Sequence, residues 1–233
     1  MESRKRHALT VNAITFSRVP SILAFLALAV VQATCFRPDG AAAFAFAWGA
    51  GLFMLASGLS DFFDGKLARK WNVVSNLGKL ADPLMDKIFF IVVFPVLLWL
   101  SAIRPGPWET AHTVLLLAFT VFCILRDQWV TFMRSLAAAD GVEISAQWIG
   151  KVRTALSFPA AGFVYLYETM HPFLPDSWRV PFMCACMVVE AALLALNFYS
   201  MWVYTVRYWP SVSKAARAGA GETRRAGETQ TGD

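Results

Sequence analysis

The chain has 233 residues, of which 57% are hydrophobic and 16% charged, an apolar share above the ~45–50% of soluble globular domains. Its formal net charge is +5, but the basic residues flank apolar runs, so they read as membrane-orientation signals and not as a nucleic-acid surface. Cys35, Cys123, Cys184 and Cys186 lie in or beside apolar segments without CxxC spacing or companion histidines, which speaks against a disulfide framework or a zinc site.

Arg4, Lys5 and Arg6 precede a first apolar segment from Ala8 to Val31, interrupted only by Asn12, Thr15, Ser17, Arg18 and Ser21. The run from Val19 to Val31 could also serve as a secretory signal ending at Val31-Gln32-Ala33, but a retained helix is preferred for the motif reason given below. Arg37, Pro38, Asp39 and Gly40 make a turn, and Ala41 to Ser60 runs without a charge for long enough to cross a ~30 Å hydrocarbon core. A charged stretch from Asp61 to Lys87 leads to a third span, Ile88 to Ile103. The fourth begins at Ala111, and its helical periodicity persists past Arg126 and Asp127 to about Ala139, where Asp140 and Gly141 close it. A short fifth span, Ala155 to Tyr167, must borrow length from the Lys151 end. The sixth, Val180 to Val206, contains Glu190, read as an acid paired inside the bundle.

Lys and Arg counted by loop give an independent test. One side collects Arg4, Lys5, Arg6, Lys66, Arg69, Lys70, Lys79, Lys87, Arg134, Lys151 and Arg153; the other has Arg37, Arg104 and Arg179. That asymmetry predicts an all-α integral membrane protein with six transmembrane helices and both termini cytoplasmic. Residues 1–210 would form the bundle domain and 211–233, rich in Gly, Ala, Thr and charge, a polar disordered tail.

Between the second and third spans, Asp61 and Asp64 are three residues apart and Asp82 and Asp86 four apart, so on helices each pair would project from one face. Acids packed against a low-dielectric core need a counter-charge, and a hard divalent cation with oxygen ligands supplies one. Magnesium or manganese is the natural candidate, since no His or Cys stands in the cluster. Two ions bridged by shared carboxylates, roughly 3.5–4 Å apart, would suit displacement at phosphorus. Gly65 would let the backbone approach a phosphate, Ala68 leaves room one turn on, and Arg69 can bind phosphate oxygens bidentately.

The complete string, D-x2-D-G-x2-A-R-x8-G-x3-D-x3-D, resembles the signature of the CDP-alcohol phosphotransferase family and matches it at every fixed position. The resemblance implies that bundle fold, with Asp61, Asp64 and Asp82 as metal and cytidine diphosphate ligands. It makes Asp86 both a ligand of the second metal and the general base, and it gives Gly65, Ala68, Arg69 and Gly78, with Asp64, to the nucleotide. Asn12, Thr15 and Arg18 spell N-x-x-T-x-x-R, similar to the opening helix of the phosphatidylglycerophosphate-forming branch, which adds Asn12 and Thr15 to the nucleotide contacts and argues against a cleaved signal. The segments around Arg126 and from Gln147 through Trp148, Gly150, Lys151 and Arg153 to Thr154 resemble the same branch, although Asp127 stands where it usually has Glu and Arg153 where it usually has Lys.

The resemblance therefore implies CDP-diacylglycerol as donor and glycerol 3-phosphate as acceptor, with Arg126, Lys151 and Arg153 holding the acceptor phosphate. It further implies a bacterial inner-membrane location with the site at the cytoplasmic face, contact with membrane lipids and, by analogy, a homodimer. A sibling enzyme using phosphatidylglycerol, inositol phosphate or serine remains the alternative, and a membrane cation transporter the alternative from another class.

Overall fold

A computed structural model describes the backbone of residues 2–71, 73, 76–103, 107–142 and 147–230. Side chains are described for these except at 2–5, 8, 61, 62, 64, 68, 69, 76–80, 82, 83, 107, 215 and 218–230. Among the described residues every regular element is helical: α1 (Glu2–Cys35), α2 (Ala41–Trp71), α3 (Asn76–Ala102), α4 (Pro107–Ala139), α5 (Trp148–Met170) and α6 (Asp176–Gln230), with a short 3₁₀ turn at His171–Phe173.

Five of these helices contain stretches long and apolar enough to cross a membrane: Leu9–Cys35, Ala41–Leu67, Leu84–Ala102, Trp108–Ala139 and Asp176–Lys214. The chain is a multi-pass membrane protein. Lipid-facing positions are occupied by exposed Leu23, Leu52, Leu117, Val188 and Trp202, an arrangement water would penalise and hydrocarbon does not. The expected fifth span, α5, does not reach that hydropathy. Its inner face carries Arg153, Ser157, Tyr165, Tyr167, Glu168 and Thr169, all buried among neighbouring helices, so its polarity faces protein and not lipid.

Several boundaries move outward from their expected places. The charged stretch after the second span continues α2 to Trp71, and α3 begins at Asn76, so the backbones of Asp61, Asp64, Asp82 and Asp86 are all helical. α4 ends where its composition indicates: Gly141 adopts φ +75°, its N–H bonds to the Ala138 carbonyl at 3.1 Å, and that of Val142 to Ala137 at 2.9 Å. This is a Schellman closure, and the left-handed position favours glycine. At the other terminus α6 stays helical to Gln230, so the tail expected to be disordered has a helical backbone through residue 230.

α1 packs on α2 and α3, α4 on α3 and α6, and α5 on α2, α3 and α6. The interior register is a repeat of three and four residues. On α1 it runs through Val11, Thr15, Arg18, Ile22, Phe25 and Ala29, and on α6 through Met183, Cys186, Glu190, Leu193, Asn197, Ser200, Tyr204 and Tyr208, all buried. Ile22, Phe25, Phe94, Leu97, Phe119 and Val164 join in the main core, and a smaller cluster of Val130, Met133, Ile149, Tyr204 and Tyr208 sits at the end nearer the loop that joins α4 to α5.

The opposite end of the bundle holds a buried polar knot. His112 Nε2 lies 2.9 Å from Glu190 Oε1, its Nδ1 lies 3.4 Å from Glu168 Oε1, and the Ser101 hydroxyl approaches Nδ1 at 3.4 Å. Glu190 is thus paired within the bundle, as its isolated position in an apolar span suggests. All four cysteines are free thiols.

Candidate active site

The site forms at the end where α2 finishes and α3 and α5 begin. The first turns of α1 reach this end as well, since His7 stacks on Trp71 with ring centroids 4.4 Å apart. Asp86, in the third turn of α3, is half-buried and faces Arg18 of α1, whose Nη1 lies 3.5 Å from Asp86 Oδ1. Arg18 is only 2% exposed and occupies the buried stripe of α1 one turn below Thr15. A guanidinium so placed attracts the Asp86 carboxylate and fixes its direction.

Asp86 opens onto a cleft of about 440 Å³ bounded by α3, α4, α5 and α6. Arg126, Lys151 and Arg153, the three cations expected to hold an acceptor phosphate, line the same cleft, together with Lys87, Asp127 and Arg134. The structure therefore brings the expected base and the expected anion-binding residues to one space. Asn12 is half-buried on α1, Thr15 is buried with its hydroxyl donating to the Val11 carbonyl at 3.2 Å, and Gly65 is half-buried on α2. The side chains of Asp61, Asp64, Ala68, Arg69 and Asp82 lie outside the described residues, and the Gly78 backbone lies in the first turn of α3. Among the described residues no group of three His, Cys, Asp or Glu side chains is gathered as a metal site.

Arg126 and Arg153 are 5% and 3% exposed, and burying two guanidinium groups together is costly without partners. Asp127 supplies them. Arg126 Nη1 donates to Asp127 Oδ1 at 2.9 Å, while Arg153 Nη2 lies 2.9 Å from Oδ1 and donates to Oδ2 at 3.2 Å. α6 takes the remaining terminal nitrogens: Arg126 Nη2 donates to the Ser200 hydroxyl, and Arg153 Nη1 to Asn197 Oδ1 at 3.3 Å. Aromatic faces complete the enclosure, with Arg126 5.3 Å from the Tyr204 ring centroid and Arg153 5.4 Å from that of Phe90.

The Gly150 backbone lies close against this cluster. A Cβ there would fall 2.9 Å from the Tyr204 hydroxyl and 3.6 Å from Arg126 Nη2, and that hydroxyl also accepts the Gln147 N–H at 3.2 Å. The start of α5 can meet α6 this closely only without a side chain at 150. Lys87 donates to the Thr131 hydroxyl at 2.7 Å, and Lys151 is exposed at the rim.

A second cavity, of about 610 Å³ and apolar, lies between α2 and α5, lined among others by Leu52, Leu55, Leu59, Gly162 and Leu166. Phe158 borders both cavities.

Sequence reasoning assigned no contact to Arg18, although it is the last residue of the N-x-x-T-x-x-R pattern, and it missed Asn197, Ser200 and Tyr204 altogether. Their signal was available: polar side chains in an apolar span, at the buried three-four spacing.

Comparison with known proteins agrees with this architecture. The model of the CDP-alcohol phosphatidyltransferase family matches residues 8–209, nearly the whole helical bundle, and the chain belongs to that family. It is 28% identical over 207 residues to the CDP-diacylglycerol--glycerol-3-phosphate 3-phosphatidyltransferase of Bacillus subtilis, covering 86% of this chain and 95% of that one. It is 40% identical over 106 residues to the enzyme of the same name from Mycoplasma genitalium, a match spanning 46% of this chain and 40% of the relative. A Streptomyces coelicolor protein named cardiolipin synthase (CMP-forming) is 38% identical over 84 residues, 35% of this chain and 39% of the relative.

Proposed function

We propose that the protein transfers the phosphatidyl group of CDP-diacylglycerol to glycerol 3-phosphate, giving phosphatidylglycerophosphate and CMP. The observation that carries this reading is the shared cleft: Asp86 and the cations Arg126, Lys151 and Arg153 border one space, so a single small molecule can offer its hydroxyl to the carboxylate and its phosphate to the cations. Family membership supports transfer from a CDP-linked lipid over cation transport.

In this reading Asp86 takes the proton from the acceptor hydroxyl as that oxygen bonds to the lipid-bearing phosphorus and the bond from that phosphorus to the oxygen of CMP breaks. Arg18 faces the Asp86 carboxylate and orients it. Asp61, Asp64, Asp82 and Asp86 would hold divalent cations, and an all-oxygen donor set suits magnesium or manganese. Such ions, when bound, neutralise the pyrophosphate and stabilise the leaving group. Asn12, Thr15, Gly65, Ala68, Arg69 and Gly78 are assigned to the nucleotide. The apolar cavity between α2 and α5 gives the acyl chains a place beside the polar cleft, with Phe158 as the shared wall.

The same reading counts α5 as a sixth crossing. Its 23 residues span about 34 Å at 1.5 Å per residue, enough for the hydrocarbon core, and the Lys and Arg asymmetry then puts both termini and the cleft at the cytoplasmic face of a bacterial inner membrane.

The test is an acceptor panel. Purified protein, CDP-diacylglycerol and magnesium or manganese are incubated with glycerol 3-phosphate, phosphatidylglycerol, inositol phosphate or serine, and CMP and lipid products are measured. Phosphatidylglycerophosphate formed with glycerol 3-phosphate supports the assignment; product from phosphatidylglycerol alone would make the protein a cardiolipin-forming sibling.

A further inference from the structure

We propose that Asp127 is a positioning residue that fixes selectivity for a phosphorylated acceptor, by locking Arg126 and Arg153 into one paired cation site whose excess charge only an anion can balance. This rests on the acceptor reading above and deepens it.

Arg126 and Arg153 bring two positive charges into a buried space where Asp127 brings one negative charge. Each terminal nitrogen of the two guanidinium groups has a partner: Asp127 for one nitrogen of each, Ser200 for the other of Arg126, and Asn197 with Cys123 Sγ for the other of Arg153. Both planes are therefore held before any ligand arrives. The Nε atoms of Arg126 and Arg153 are buried and have no acceptor among the described residues. A held pair of guanidinium groups with a surplus charge and unsatisfied buried donors is built for a compact anion with several acceptor oxygens. A neutral hydroxyl acceptor would leave the surplus charge uncompensated, so the arrangement discriminates against it.

Two roles for Asp127 make opposite predictions. If it merely neutralised the cleft, removing its charge would strengthen attraction for phosphate. If it positions the arginines, removing its charge frees two mutually repelling side chains, and phosphate binding weakens.

The experiment compares wild type, Asp127→Asn, Asp127→Glu, Ser200→Ala and Asn197→Ala, each full-length in detergent or nanodiscs. It measures kcat, the KM for glycerol 3-phosphate, the KM for CDP-diacylglycerol and inhibition by inorganic phosphate. Asp127→Asn is expected to raise the glycerol 3-phosphate KM ~10–100-fold and weaken inhibition by phosphate in parallel, while the CDP-diacylglycerol KM stays within ~2-fold. Asp127→Glu, which keeps the charge with longer reach, should recover the acceptor KM to within ~5-fold of wild type. A lowered or unchanged acceptor KM in Asp127→Asn overturns the proposal, as does a fall in kcat with both KM values unmoved. Should Asp127→Asn fail to fold, the α6 variants decide: acceptor KM values raised ~3–10-fold support the proposal, and unchanged values in both overturn it. Wild type that uses only unphosphorylated acceptors would overturn the acceptor reading itself, whereas wild type that uses glycerol 3-phosphate beside an unaffected Asp127→Asn overturns this inference alone.

Discussion

Arg18 of α1 and Asp86 of α3 face each other at 3.5 Å, joining the first helix to the residue assigned to proton transfer. The arginine is almost fully buried and the aspartate side chain is 30% exposed, so the carboxylate meets the cleft on one side and a fixed positive charge on the other. Replacing Arg18 by Ala removes that charge from beside the carboxylate. CMP release should fall ~10–100-fold, with Arg18→Lys intermediate because a point charge on a flexible stem replaces a rigid fork. Steady-state assays of both variants check this.

Asp86→Asn keeps the shape of the side chain and loses its basicity. Turnover should fall ~10²–10⁴-fold, the usual contribution of a positioned base, while glycerol 3-phosphate still raises the thermal unfolding temperature of the variant. An assay of CMP release paired with a thermal-shift titration separates the two effects.

Gly150→Ala tests the close contact of α5 with α6. The added methyl would sit 2.9 Å from the Tyr204 hydroxyl, and Tyr204 is buried with its hydroxyl already engaged by the Gln147 N–H, so it cannot swing away without loss. Destabilisation by ~1–3 kcal/mol and a several-fold higher KM for glycerol 3-phosphate are expected. Thermal unfolding and acceptor titration measure both.

The polar knot at the far end should behave differently. About 21 Å of α4 separates His112 from Arg126, at 1.5 Å per residue. Glu190→Ala removes the nearer of the two carboxylates that flank the buried His112 imidazole and should cost ~3–5 kcal/mol of stability. The KM values for both substrates should remain within ~2-fold of wild type at a temperature where the variant is folded.

Gly162 borders the apolar cavity, and a Cβ built there meets nothing within 4 Å. Gly162→Leu should therefore fold normally and occupy part of the cavity. The KM for long-chain CDP-diacylglycerol should rise several-fold while that for glycerol 3-phosphate is unchanged, as kinetics with each substrate varied in turn will show.

How much of this could be read from residues alone differs between register and partnership. The interior stripes repeat every three or four residues, so the burial of Arg18, Arg126, Glu190 and Asn197 follows from their spacing to Ile22, Val130, Leu193 and Ser200. Which of them meet is set by helix packing. Nothing in the spacing of Asp127 and Arg153, or of Arg126 and Ser200, indicates that they touch, because each pair spans two helices whose rotation depends on every other contact. The helical extension of α2 past Ser60 was obscured by its charge, since residues outside the hydrocarbon need no apolar signature to remain helical. α5 is less apolar than the other spans because it carries Arg153, whose terminal nitrogens are taken by Asp127 of α4 and Asn197 of α6, a tertiary fact.

Arg153 on α5 has acceptors in Cys123 and Asp127, made before it, and in Asn197, made after it. During synthesis the fifth helix thus emerges before its amide acceptor on the sixth has been made. A chain lacking the sixth helix would hold its guanidinium without that amide, so stable packing of the fifth depends on the one made after it, and truncation there should leave the segment accessible to protease.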